Sequence, residues 1–216
     1  MAEGSRTRWL TGCLGCLGLL ALLCCCGGGI ATWQMPAIFV ALFTDDAPLP
    51  IQGVTPDPMR AAQVKAGVCG ALAREGQTSI AAEDLALLAL GEGNRDISAL
   101  RMDPSGEGLL FQGVFDTQGK GYVNVIFGGS FALERGWFTD VRIDHANLSS
   151  WDLAPYMRGQ QLAQNANQSL ANQKSQDPSL QGELDRFEKV WTEGGTLHLK
   201  MAPGGLDGWR FCAPQG

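Results

Sequence analysis

The chain has 216 residues, 18% of them charged and 8% aromatic, with 29 glycines and a formal net charge of −6. This composition excludes a disordered chain, and so many glycines favour tight turns and short strands over a helical bundle. The acidic balance, with no basic stripe, excludes a binder of phosphate backbones, so no nucleic-acid partner is expected.

Arg6 and Arg8 precede an apolar run from Trp9 to Trp33 whose interior carries no charge. At ~1.5 Å per residue such a run can cross a hydrocarbon core of about 30 Å. Trp9 and Trp33 stand at its ends, where indole rings favour the interface, and Asp45 and Asp46 come before the next base, Arg60. This asymmetry predicts a cytoplasmic N-terminus (residues 1–8), a single-pass transmembrane signal-anchor (9–33), an apolar juxtamembrane segment and proline-rich linker (34–56), and a domain outside the cytoplasm, periplasmic or extracellular (57–216). Gly29-Ile30-Ala31 leaves a cleaved signal peptide open. Leu10-Thr11-Gly12-Cys13 resembles a lipobox but lacks a preceding apolar region. Cys13 and Cys16 lack the second pair that a metal site requires. Cys24-Cys25-Cys26 suits acylation or plain helix filler.

Ala37 to Phe43 is apolar but too short to span, and Pro48, Pro50, Pro56 and Pro58 then punctuate a semi-stiff spacer. Asp57-Pro58 reads as an N-cap and first helical residue. The helix to Arg74 is expected to set Met59, Ala62, Ala66 and Cys69 on one face and to stop at Gly76. A shorter helix is expected from about Ala81 to Leu90, capped by Ser79, with Leu85, Leu88 and Ala89 as its stripe and Gly91 as its end.

The period then changes to two. Leu109–Phe115, Tyr122–Phe127 and Trp137–Ile143 read as a meander, with turns at Gly119-Lys120-Gly121 and Glu134-Arg135-Gly136. In the last strand Trp137, Thr139, Val141 and Ile143 are expected on one face, with Phe138, Asp140, Arg142 and Asp144 on the other. A third helix follows Pro155, from about Tyr156 to Lys174, along Gly159, Leu162, Ala163, Ala166 and Leu170. Phe187–Thr192 and Thr196–Met201 bracket Gly194-Gly195 as a closing hairpin, although Leu184, Phe187 and Trp191 also fit a helix. The expected class is α+β: a twisted antiparallel sheet, meander plus C-terminal hairpin, with helices packed on one face. Cys69 and Cys212, the two cysteines beyond the apolar segments, are a natural disulfide in an oxidising compartment.

The segment Ser79-Ile80-Ala81-Ala82-Glu83-Asp84-Leu85 follows the linker and precedes the sheet. It resembles the opening of the short helix in small uncharacterised extracytoplasmic domains of bacterial single-pass membrane-anchored proteins. The resemblance implies location and fold and brings no catalytic motif.

Chemistry-bearing residues are few. Asp140, Asp144, His145, Ser149 and Ser150 cluster in sequence, but adjacent Asp144 and His145 on a strand are expected to point apart, and no nucleophile elbow occurs. His145 and His198 lack ligand spacing, so no metal is expected, and His198 reads as solvated on a strand's polar face. Asp103-Pro104-Ser105-Gly106-Glu107 lacks the full calcium-loop series and reads as a turn, and Gly128-Gly129-Ser130 has no phosphate-loop lysine in register. Phe111, Phe115, Phe127, Phe131, Trp137 and Trp151 are expected to line the concave face of the sheet, either as ordinary core or as part of a groove. The groove would be built from Phe111, Phe127, Trp137, Leu162 and Ala166 and would hold an acyl chain or apolar peptide. Three readings follow: a non-catalytic domain that binds a protein partner or envelope component, a lipid- or apolar-ligand-binding domain, and a hydrolase around His145. None requires a cofactor.

Overall fold

A computed structural model of the protein describes residues 44–90, 97–117, 121–156, 161–176 and 178–213. The expected membrane segment, the apolar stretch to Phe43, Gly91 and Gly159 lie outside these residues. Among the described residues no helix is long and apolar enough to cross a membrane.

The first helix, α1 (Pro58–Glu75), starts as its sequence directs. Asp57 accepts the Arg60 N–H at 3.0 Å, proline fills the first position, and Gly76 closes the helix at φ 68°. Its buried face differs from the expected one. Ala61, Val68 and Leu72 turn inward, and Met59, Ala62 and Ala66 are exposed. Both faces are apolar enough to compete, and the one with the larger side chains removes more surface from water.

Gln77–Ala81 forms a strand, β1, antiparallel to the last strand, so Ser79 is a strand residue and not a cap. Helix α2 (Ala82–Leu90) follows directly. Next come β2 (Ile97–Ser105) and β3 (Gly108–Asp116), joined through Gly106 at φ 55°. Asp103, Pro104 and Ser105 are thus strand residues, and the turn is confined to Gly106 and Glu107. The chain continues with β4 (Tyr122–Glu134), β5 (Trp137–Leu148) and the short β6 (Trp151–Asp152). Helices α3 (Gln161–Gln176) and α4 (Pro178–Leu184) precede the hairpin of β7 (Phe187–Glu193) and β8 (Thr196–Met201).

These strands make one eight-stranded antiparallel sheet, and the class is α+β. β4 is the shared strand. Tyr122–Gly129 pairs with β3 and Ala132–Glu134 with β7, on the edge opposite β5. Where one neighbour gives way to the other, Thr192 Oγ1 accepts the Phe131 N–H at 3.0 Å. The backbones here approach too closely for side chains. A Cβ on Gly108 would lie 1.9 Å from Gly129 O, and one on Gly129 would lie 2.0 Å from Arg142 O. That crowding gives Gly129 its structural role.

Two bulges change the phase of β5. Register shifts against β4 leave Thr139 and Asp144 without a directly opposed residue. The buried residues are therefore Phe138, Val141, Ile143 and Ala146, while Trp137 and Thr139 face solvent. Strict alternation fails at each bulge, and Phe138 changes places with Trp137.

One apolar core joins the sheet to the helices: Val68 and Leu72 from α1, Leu85 and Ala86 from α2, and Ala166 and Leu170 from α3. Leu100 and Phe187 lie within it, each 1% exposed. The C-terminal turns complete it. Trp209 meets Phe187 edge-on at 5.4 Å, Arg186 Nη1 donates to Gly205 O and Asp207 O, and Cys212 bonds Cys69 across a Cα separation of 5.6 Å. The expected disulfide is present.

The proline-rich stretch expected as a spacer is docked on the sheet from Asp45 onward. Asp45 exchanges both backbone hydrogen bonds with Tyr122, and Val54 N–H donates to Leu100 O. The folded unit therefore includes residues placed in the linker by sequence.

Candidate functional site

The cluster around His145 does not assemble into a catalytic constellation. Because Asp144 is bulged, Asp144 and His145 are both exposed instead of pointing to opposite faces. His145 lies beside Gly128, where a Cβ would sit 3.1 Å from the His145 ring, with Leu110 on the other flank. Ser149, at φ 52°, places its Oγ 3.3 Å from Asn124 N, where it accepts the backbone N–H. Among the described residues no hydrogen bond joins His145 to a serine or carboxylate. His198 lies on β8, and no group of three or more potential ligands capable of holding a metal occurs among the described residues.

The five residues named for a groove do not line one surface. Phe111, Phe127 and Ala166 are buried in the common core, and Leu162 packs against it half-buried. Trp137 is 44% exposed, outside that core. Its ring is covered by Lys174, whose Nζ lies 4.0 Å from the ring centroid and donates to Gly136 O at 2.8 Å. Burial holds the Lys174 ammonium below its ordinary pKa, with the Asp185 carboxylate opposing that shift.

The most organised solvent-facing surface lies across β1, β8, β7 and the end of β4. Alternation along β8 sends Leu197, Leu199 and Met201 inward and Thr196, His198 and Lys200 outward. Register then sets Ser79, His198, Trp191 and Ala132 in one row across four strands. The Trp191 and His198 rings stack at 4.9 Å and 14°. Lys189 stands 5.4 Å from the Trp191 ring centroid and pairs with Glu134 at 2.9 Å. Lys200 pairs with Glu188 at 2.7 Å, and Trp191 Nε1 donates to Glu193 at 3.1 Å. The result is a flat aromatic pair inside a rim of fixed charges. It offers stacking and hydrogen bonding, and among the described residues its contacts form no nucleophile–base pair. Sequence alternation placed His198 on the polar face. It did not place Trp191 beside it, because that requires the register between β7 and β8.

Comparison with known protein families, curated proteins and solved structures finds no match for this chain.

Proposed function

We propose that this chain is a single-pass membrane-anchored domain, held outside the cytoplasm, which binds a protein partner or envelope component and carries no catalysis of its own. The observation that carries the location is the Cys69–Cys212 disulfide. It joins the two cysteines lying beyond the N-terminal apolar segments, and such bonds persist in oxidising compartments. The charge asymmetry around Trp9–Trp33 supports the same orientation. The Trp191–His198 surface is the contact region we assign to the partner. A flat aromatic pair ringed by ordered charges suits recognition by stacking and directed hydrogen bonds.

Site-directed photocrosslinking in intact cells tests this reading. A photoreactive residue at His198 should yield an adduct of defined mass that disappears with Trp191→Ala. The same probe at exposed Met59, on α1, should not yield it. Identical adducts from both positions, or none from His198, would refute the assignment.

A further inference from the structure

We infer that this chain pairs with a second copy of itself through the outer edge of β1, in an antiparallel twofold contact centred on Ser79. The sheet of one protomer then continues into that of the other. The inference stands independently of the anchored reading above.

Its first support is the direction of the backbone groups. An antiparallel strand bonds a given neighbour through every second residue. Met201 N–H donates to Gly76 O at 2.8 Å, and the register of β1 with β8 runs on from that pair. Thr78 and Ile80 therefore turn their N–H and C=O groups toward Leu199 and Leu197 of β8. Gln77, Ser79 and Ala81 turn theirs the other way, off the edge of the sheet. Ala81 precedes α2 and commits its C=O to that helix. Its N–H, and both groups of Gln77 and Ser79, remain on the edge. Among the described residues no strand, turn or side chain bonds them. The three side chains are exposed.

The edges at β2 and β5 are treated differently. On β2 the Val54 N–H occupies Leu100 O, and Pro104 has no N–H to offer. On β5 Asn167 takes both backbone groups of Phe138, and Leu153 N–H donates to Ala146 O. β1 carries no proline, no charged residue and no bulge, the devices that keep an edge from pairing.

The strand is also complementary to itself, which selects a second copy as the occupant. A twofold axis beside Ser79 sets Ser79 opposite Ser79 of the second copy, Gln77 opposite Ala81 and Thr78 opposite Ile80. Each Ser79 N–H then meets a Ser79 C=O, and each Ala81 N–H meets a Gln77 C=O. Partial charges of opposite sign face one another, and no like charges are opposed. The row of Ser79, His198 and Trp191 runs on through the axis onto the same face of the second copy. Three strand spacings separate the two His198 residues, or about 14 Å. The dimer thus presents the aromatic pair twice on one continuous surface.

Sedimentation velocity of the full chain in mild detergent supplies the test. The parent should be a dimer. Ser79→Lys and Ser79→Glu each set like charges directly across the axis, and each should be monomeric where the parent is dimeric. Mixed, the two should restore a dimer holding one copy of each. Ser79→Pro removes an outward N–H and no bond to β8, so it should also be monomeric, with the Cys69–Cys212 bond and the melting temperature of the parent. A monomeric parent would overturn the inference. A dimer that persists in Ser79→Lys, Ser79→Glu and Ser79→Pro would overturn it too, because the contact then lies elsewhere on the chain. Folded charge variants that stay apart when mixed would refute the register centred on Ser79.

Discussion

Asn124 is 8% exposed and uses both ends of its amide on the segment before α1. Replacing it with alanine removes three side-chain hydrogen bonds and leaves the Leu49 N–H without its acceptor. At about 0.5–1.5 kcal/mol for each bond, Asn124→Ala should cost about 2–4 kcal/mol. Denaturant unfolding should show this loss, and hydrogen exchange should show Leu49 and Asp45 amides released before the core opens. Unchanged protection at Leu49 would contradict the clamp. Lys174 gives a pH-dependent expectation. Its folded pKa lies below 10.5, so between the folded value and 10.5 the unfolded chain binds more protons. The penalty for its burial is complete below the folded pKa and is relieved as pH rises through it. Lys174→Met should therefore flatten the alkaline rise in stability measured against pH, while losing the bond to Gly136 O. A wild-type profile with no such rise would contradict the burial argument.

Edges and bulges dominate at the scale of elements. The free edge of β5 is closed at Phe138 by a side chain of α3. Asn167 Oδ1 accepts the Phe138 N–H at 2.8 Å, and Asn167 Nδ2 donates to Phe138 O at 2.9 Å. One amide thus does locally what a neighbouring strand would do. Asn167→Ala should cost about 1–3 kcal/mol by leaving both backbone groups unpaired. Thermal unfolding checks the size, and concentration-dependent light scattering checks whether the opened edge associates. An unchanged melting temperature would show that water replaces the amide without loss. The same elements show what the sequence made legible. The turns Arg135-Gly136 and Gly194-Gly195 have positive φ at both residues and fall where hairpin chemistry puts them. The phase of β5 was not legible, because a bulge depends on how β4 and β5 register, and nothing in Thr139 or Asp144 alone signals it. β1 and β2 were missed for other reasons. The five residues of β1 run straight into α2, and Asp103-Pro104-Ser105 looks like a turn although an edge strand tolerates proline. The face of α1 was misread because small apolar residues occupy both sides, and only packing chooses between them.

At the scale of the molecule, the disulfide ties residues 143 apart and fastens the last turns onto α1. Removing it with Cys69→Ser and Cys212→Ser together should destabilise the domain by about 2–5 kcal/mol and expose the turns after Met201 to proteolysis. A double variant as stable and as resistant as the parent would show that Trp209 packing and the Arg186 bonds suffice. The α+β class and this cysteine pair were readable in advance, since both rest on composition and local period. The Trp191–His198 surface and the bonding of Asp45, Ala47 and Leu49 to Tyr122 and Asn124 of β4 were not, because each depends on residues brought together from distant parts of the chain. The central claim, an anchored domain outside the cytoplasm, is tested most directly by a reporter fused after Gly216 that is active only once its own disulfides form, assayed in washed membranes of a bacterial host. The account requires reporter activity in the membrane fraction. Reporter activity confined to the soluble fraction, or an inactive reporter on a membrane-bound chain, would contradict it.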